Sequence, residues 1–288
     1  MSAEKSSQAV AVIIPAKDEA ERIAATVRAC RAIPRVDLVV VVDDGSTDAT
    51  GDHARCAGAV VVRHSVTRGK ASAMETGAGV VAMRDPEDAP KRLLLFIDAD
   101  LGDSAAACAD LVPPVLDGVA DLSIAVLPKQ AGAGGRGRVL RAARLGIAAA
   151  TGWLPLAPLS GQRCMSRDAY TAAQPFAEGW GVEVGMTIDL LVAKRTVIEV
   201  PCDIQHRVTG NDTVGRLHRA NQYKDVLRAV LARKLARHRV PRKIALASAA
   251  SRQHFTPYNA WDPTVAEAAA EALRTPTKGT RAVESQEA

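Results

Sequence analysis

Leu93 to Ile97 is a run of five apolar residues that leads directly into Asp98 and Asp100, two carboxylates separated by one alanine. A continuous apolar run of that length suits a central parallel strand covered on both faces. Open α/β sheets bind ligands beyond the carboxyl ends of their strands. Two oxygen donors at such an end suit a hard divalent cation, Mg²⁺ or Mn²⁺, that also holds phosphate oxygens. The competing reading is an Asp-rich turn that closes a strand and does nothing more, so the rest of the chain has to decide.

Upstream, the same grammar repeats. Val10 to Ile14 is an apolar run stopped by Pro15, and Ala16-Lys17-Asp18-Glu19 leads into a helical pattern through Ile23, Val27 and Cys30. Leu38 to Val42 is a second strand ending in Asp43-Asp44-Gly45-Ser46-Thr47-Asp48, with a glycine for the turn and several capping residues for the next helix. Val60 to Val62 is a third, followed by a helix from Gly69-Lys70 to Met83. Four strands alternating with helices predict a parallel sheet with right-handed crossovers, its loops gathered at one edge. That edge collects Pro15 to Glu19, Asp43 to Asp48, His64 to Lys70 and Asp98 to Asp100.

A helix around Ser104 to Leu116 and a strand around Leu122 to Leu127 follow, and then the charge pattern changes. From Leu122 to Arg167 there is no Asp or Glu, while Lys129, Arg136, Arg138, Arg141, Arg144, Arg163 and Arg167 give a local charge of +7 against +5 for the whole chain. Without compensating carboxylates, an anion site, phosphate in particular, is the expectation over a merely solvated basic face. Two phosphate motifs nearly fit and fail. Gly132-Ala-Gly134-Gly-Arg-Gly137 has dinucleotide spacing but no acidic residue about 20 positions later and lies outside the first βαβ unit. Gly69-Lys70 lacks the following Ser or Thr of a P-loop, and His64 stands where its first glycine belongs.

Leu145 to Leu159 is apolar but broken by Pro155 and Pro158, so it is read as core or the wall of an acceptor pocket. Pro158 to Met165 reads as a strand, Gly179 to Glu183 as a loop opening a helix, and Thr196 to Pro201 as a strand leading to His206. From Arg216 to Lys243 the pattern is one long helix with ten Lys or Arg and Asp225 as its sole acid. Leu217, Tyr223, Val226, Leu227, Val230, Leu231 and Leu235 give it an apolar face. Such a helix either docks on the core, closes the anion site or lies on a membrane surface. Nine aromatics and no recognised module set nucleic acid aside.

Five scattered cysteines argue against a zinc site or disulfide framework. The polar start lacks the features of a signal peptide, and no apolar run reaches the ~20 residues of a membrane span. A cytoplasmic location is expected, with contact at the inner face of the membrane through the basic helix 216–243 as its variant.

Taken together, Ile13-Ile-Pro-Ala-Lys-Asp-Glu19, Val42-Asp-Asp-Gly-Ser-Thr-Asp48, Arg68-Gly-Lys70 and Asp98-Ala-Asp100 resemble the nucleotide half of family-two glycosyltransferases with the A-type (GT-A) fold. Further along, Gly137-Arg138-Val139, Pro158-Leu-Ser-Gly161, Gly181-Val-Glu-Val-Gly185 and Gln205-His206-Arg207 resemble glucosyl-3-phosphoglycerate synthases, retaining enzymes close to that family. The resemblance implies an α/β fold with a Rossmann-like, mostly parallel central sheet flanked by helices, here extended by a C-terminal basic amphipathic helix. It implies that Pro15, Ala16, Val42 and Asp44 cradle the nucleobase, Glu19 the ribose, and that Lys70 lies near the donor. Asp98 would reach the ribose or the metal, Asp100 would bind the metal, and His206 would complete its coordination.

Glu183, Asp100 and Arg138 are the catalytic candidates; Arg138, Leu140, Gly161 and Gln162 are the acceptor-binding ones. Two departures fall in the acceptor half: Leu140 stands where those synthases carry a Thr, and Gln162 where they carry an acid. If configuration inverts, Glu183 or Asp189 would be the base on the acceptor hydroxyl; if it is retained, Glu183 would orient sugar or acceptor.

The expected function is metal-dependent transfer of a sugar, glucose from UDP-glucose, to a small phosphoglycerate-like anionic acceptor, with Mg²⁺ or Mn²⁺ as cofactor, a UDP-sugar favoured over a GDP-sugar, and retention preferred. The alternatives are a polyprenyl-phosphate glycosyltransferase at the membrane surface and a nucleotide-binding protein without transferase activity. The expected organisation is a disordered N-terminus (1–9), a donor half (10–127), an acceptor half (128–210), a C-terminal helical extension (211–273) able to pair with a second copy as a homodimer, and a disordered tail (274–288).

Overall fold

A computed structural model describes residues 8–128, 137–204, 213–240 and 259–261, with the backbone alone for 213–219 and 259–261. The strands are β1 (Val10–Ala16), β2 (Val36–Asp43), β3 (Val60–Arg63), β4 (Leu93–Phe96), β5 (Leu122–Val126), β6 (Arg163–Met165), β7 (Val197–Pro201) and β8 (Asn259–Trp261). They form a single sheet in the order β3-β2-β1-β4-β6-β5-β7-β8. The expected parallel set is present: β1 pairs with β2 and β4, and β2 with β3, all parallel.

The second half joins the same sheet. β6 inserts antiparallel between β4 and β5, β7 lies parallel beside β5, and β8 closes that edge antiparallel. The strand expected from Pro158 therefore shortens to Arg163–Met165, because the residues before it serve a loop. The strand β8 falls within the segment expected to be a helical extension.

Pro15 does not stop β1, contrary to its reading in the sequence. On the β4 side the pairing ends at Ile13 with Phe96, so the missing N–H at Pro15 falls where no strand asks for one. On the other side Pro15 and Ala16 run on opposite Val42 and Asp43.

Helices cover both faces: α1 (Ile23–Arg31), α2 (Thr50–Cys56), α3 (Lys70–Ala82), α4 (Val112–Leu116), α5 (Gly137–Thr151), α6 (Arg167–Ala172), α7 (Val182–Val192) and α8 (Thr213–Leu235). The helix expected over Ser104 to Leu116 is instead a 3-10 segment, Gly102–Leu111, that passes directly into α4. In α1 the predicted face of Ile23, Val27 and Cys30 is the buried one. Two apolar clusters result. One, containing Ile13, Val42, Met74 and Leu94, lies under α3, and the other, containing Val12, Ile23, Val41 and Leu95, under α1. Alternate residues of β1 and β4 feed opposite clusters, as pleating requires.

The basic helix is shorter than the 216–243 expected. α8 ends at Leu235, and Arg237 takes a φ of 55°. That left-handed residue closes the helix, with the N–H of His238 donating to the carbonyl of Arg233 at 2.8 Å.

Candidate functional site

The loops that end β1, β2 and β3 are tied together by side-chain to backbone bonds. Asp18 Oδ1 accepts from the N–H of Thr47, Ser46 Oγ accepts from the N–H of Asp18, and Thr50 Oγ1 accepts from the N–H of Glu19. Asp44, 7% exposed, anchors the loop after β3. Its Oδ1 accepts from the N–H of Arg68 at 2.8 Å and lies 2.7 Å from His64 Nδ1; its Oδ2 accepts from the N–H of Gly69 at 2.8 Å. Burial opposes the charge on Asp44, but these three donors outweigh it and hold the carboxyl below its ordinary range.

Gly69, at φ 90°, turns the chain so that Lys70 opens α3. Lys70 Nζ lies 2.7 Å from Asp98 Oδ1 and 2.8 Å from Glu183 Oε1. Desolvation works against the ammonium, yet the two carboxylates more than offset it and raise its pKa above the ordinary lysine value. Gln162 Nε2 donates to Asp98 Oδ2 at 2.7 Å, and Ser160 Oγ donates to Gln162 Oε1 at 3.1 Å. Gly161 sits against this cluster, where a Cβ would lie 2.5 Å from Asp98 Oδ2 and 2.7 Å from Lys70 Nζ. The structure thus brings Lys70, Asp98, Glu183, Gly161 and Gln162 together from four separate stretches of chain. Asp100 follows at the same strand end, its backbone carbonyl accepting from Arg22 Nη1 at 3.0 Å.

The loop carrying Ser160 to Gln162 is held from beneath by two buried ions. Glu199, on β7, accepts from the N–H groups of Leu156 at 2.8 Å and Ala157 at 2.6 Å. Arg163, fully buried, donates to the carbonyls of Ser160 and Pro158 and to Thr187 Oγ1. Burial pushes its pKa down to about 10, with Glu183, Glu199 and Asp98 offsetting part of the loss. Arg163 belongs to the basic run expected to face an anion, but its guanidinium points into the protein, where the central position of β6 in the sheet places it against Ser160, Pro158 and Thr187. Arg167 likewise lies 3.4 Å from Asp85. The roles of Glu199 and His64 left no signal in the linear sequence.

Other expected residues are placed as follows. Pro15 is half-buried and Ala16 buried at the end of β1, and Glu19 is half-buried in the following loop. The Val42 side chain is wholly buried in the cluster under α3, so its backbone is what it can offer a ligand. Arg138 is exposed and Leu140 half-buried on the first turn of α5. His206, with Lys129 and Arg136, lies outside the described residues. Asp189, a candidate base by sequence, pairs instead with Arg233 and with His238 Nε2 at 3.1 Å. Among the described residues no three potential ligating side chains form a metal cluster. Asp98 and Asp100 nonetheless offer carboxylate oxygens of the kind hard cations take.

Comparison with known proteins bears on this site. Residues 11–170 match the family described as Glycosyl transferase family 2. A glucosyl-3-phosphoglycerate synthase of Mycolicibacterium paratuberculosis is 32% identical over 205 residues, which is 66% of this chain and 62% of that protein. The chain thus spans less than two thirds of that curated relative. Among solved structures, glucosyl-3-phosphoglycerate synthase from Mycobacterium tuberculosis with Mn²⁺, UDP-glucose and phosphoglyceric acid superposes with a TM-score of 0.63 at 29% identity, over 80% of this chain and 81% of that one. The same enzyme with Mg²⁺ and UDP gives a TM-score of 0.61 at 27% identity, with the same coverage. The sheet with its flanking helices is the GT-A fold of these structures.

Proposed function

The chain belongs to glycosyl transferase family 2, and from that premise we propose that it transfers glucose from UDP-glucose to a small anionic acceptor of the phosphoglycerate class, with Mg²⁺ or Mn²⁺. The observation that carries this reading is the Lys70, Asp98, Glu183 and Gln162 cluster at the carboxyl end of β4. It lies at the edge where open α/β sheets take their ligands.

The chemistry breaks the bond between the sugar C1 and the diphosphate oxygen and forms one between C1 and the acceptor oxygen. Charge develops on the departing diphosphate, and fixed positive groups aimed at it supply most of the rate enhancement. Asp98 and Asp100 would hold the cation, with His206 as the third ligand implied by the family resemblance. When bound, the cation would neutralise the leaving diphosphate. Lys70, held charged by its two carboxylates, supplies a fixed positive group beside Asp98. Arg138 and Leu140 are assigned to the acceptor side. Glu183 is buried and spends Oε1 on Lys70, which supports its orienting sugar or acceptor rather than removing a proton. That favours retention, the acceptor proton leaving with the diphosphate.

Asp44 supports the choice of base. An ionised carboxylate has about four acceptor positions, and three are taken by His64 and the N–H groups of Arg68 and Gly69. The position left on Oδ2 accepts one N–H. Uracil N3 and guanine N1 carry that hydrogen, whereas cytosine N3 and adenine N1 are acceptors and would be repelled.

A test is calorimetric titration of UDP with Mn²⁺ and with chelator. The proposal expects binding that strengthens with metal, and an Asp100→Ala protein whose metal-dependent gain falls by about tenfold or more. An Asp100→Ala protein with undiminished metal dependence would remove Asp100 from the metal site. A second reading, a polyprenyl-phosphate acceptor at the membrane surface, draws on one observation. Tyr223, Leu231 and Leu235 of α8 are exposed beside Lys224, Arg228 and Lys234.

A further inference from the structure

His64 is a buried, fully bonded group at the end of β3 that the proposed chemistry does not use. It is 6% exposed, and its own N–H donates to the carbonyl of Asp43 at 2.9 Å, continuing the pairing of β3 with β2. Its ring spans two elements. Nδ1 lies 2.7 Å from Asp44 Oδ1 on the β2 side, and Nε2 lies 3.0 Å from Thr76 Oγ1 on α3.

The bonding partners settle which nitrogen donates. Asp44 already accepts from two backbone amides and is ionised, so it has no hydrogen to give, and Nδ1 must be the donor. The Thr76 hydroxyl serves Nε2, fixing the ring's tilt. A ring so clamped leaves Asp44 one rotamer. Oδ1 is consumed by His64 and Arg68, and Oδ2 keeps a single open acceptor position.

Resting on the donor reading above, we propose that His64 is a positioning residue that sets base selectivity: it pins Asp44 so that its one remaining acceptor is offered to a ring N–H, selecting UDP over CDP. The connection extends past the base. Asp44 also holds the N–H groups of Arg68 and Gly69, the two residues that deliver Lys70 to Asp98. One side chain therefore fixes both the acceptor for the base and the loop that leads to the reacting end.

Amide side chains separate the two bonds of the ring. The amide nitrogen of an Asn at this position falls near Nδ1, and that of a Gln near Nε2. His64→Asn therefore keeps the bond to Asp44, His64→Gln keeps only the bond to Thr76, and His64→Leu loses both. The measurement is calorimetric Kd for UDP and for CDP with Mn²⁺, alongside melting temperatures. Removing a bond to a charged acceptor should raise the UDP Kd by roughly tenfold and narrow the UDP-to-CDP preference by a similar factor in the Gln and Leu proteins, with the Asn protein within about threefold of wild type. Should the Gln and Leu proteins fail to fold, Thr76→Val releases only the far side of the ring and is expected to narrow the same preference by about threefold.

A UDP-to-CDP preference unchanged in Gln and Leu proteins, or in Thr76→Val where those do not fold, overturns the role of His64 whatever the melting temperatures do. A wild-type protein that binds no UDP with metal overturns the donor reading and this proposal together, so the two failures are distinct.

Discussion

At Gly161 the constraint is one of distance. A Cβ would fall 2.5 Å from Asp98 Oδ2 and 2.6 Å from Oδ1, inside any real contact, and Asp98 is too short a side chain to yield without leaving Lys70. Gly161→Ala is therefore expected to lower the proposed glucosyl transfer by about 100-fold, as small misplacements of reacting groups do. Its melting temperature should change little, because the displaced Asp98 carboxylate is 36% exposed. Gly77 is the control. There a Cβ would lie 2.4 Å from Ile13 Cγ2, in the core between α3 and β1, so Gly77→Ala is expected to cost about 1–3 kcal/mol of stability by overpacking. Paired activity and melting measurements on the two proteins separate the cases. Both glycines look alike in the sequence; only their neighbours distinguish them.

α8 shows how a face legible in the sequence divides on docking. Of the residues read as its apolar face, Val226 is buried and Leu227 and Val230 are partly so, whereas Tyr223, Leu231 and Leu235 are exposed. The buried stripe is Val226, Ala229 and Val230, with Arg233 on the same side. Small residues face inward because α8 approaches glycines closely: a Cβ on Gly146 would lie 2.5 Å from Val230 Cγ2, and one on Gly181 2.8 Å from Ala229 Cβ. Asp189 on α7 closes the seam by pairing with Arg233, both side chains being 13% exposed. Asp189→Ala leaves that guanidinium half-buried and unpaired, at an expected cost of about 3 kcal/mol read as a lower melting temperature. Affinity for UDP should remain within about threefold, since a contact distant from the donor couples weakly to it. A Kd that collapses while stability holds would return Asp189 to the site.

Over the whole molecule, charge and apolar surface are divided between faces. Asp225, the sole acid of the α8 segment, turns inward to accept the N–H of Trp180 at 3.2 Å. The outward cations of α8 are Lys224, Lys234 and Arg228, the last 3.8 Å from Asp225, and they stand between exposed Tyr and Leu side chains. If this face meets anionic lipid, the protein sediments with phosphatidylserine-containing vesicles at about 0.15 M salt and is released at about 1 M, where screening shortens the Debye length to about 3 Å. Protein that stays in the supernatant at low salt excludes the membrane-surface reading and leaves the small-acceptor one. No helix among the described residues is long and apolar enough to cross a membrane.

The sequence by itself determined the first half of the sheet, the edge at which its loops gather, and the loops themselves, because apolar runs ending in Pro, Gly and Asp are local signals that strands and turns require. It also determined that Lys70 and Asp98 would share that edge. Only the tertiary structure decided that β6 runs antiparallel between β4 and β5, which turns Arg163 inward and swings Gly161 and Gln162 onto Asp98. It alone joined Glu183 to Lys70 and His64 to Asp44. Those pairings link residues 113 and 20 positions apart, and such contacts depend on strand order and packing, which no periodicity along one segment records.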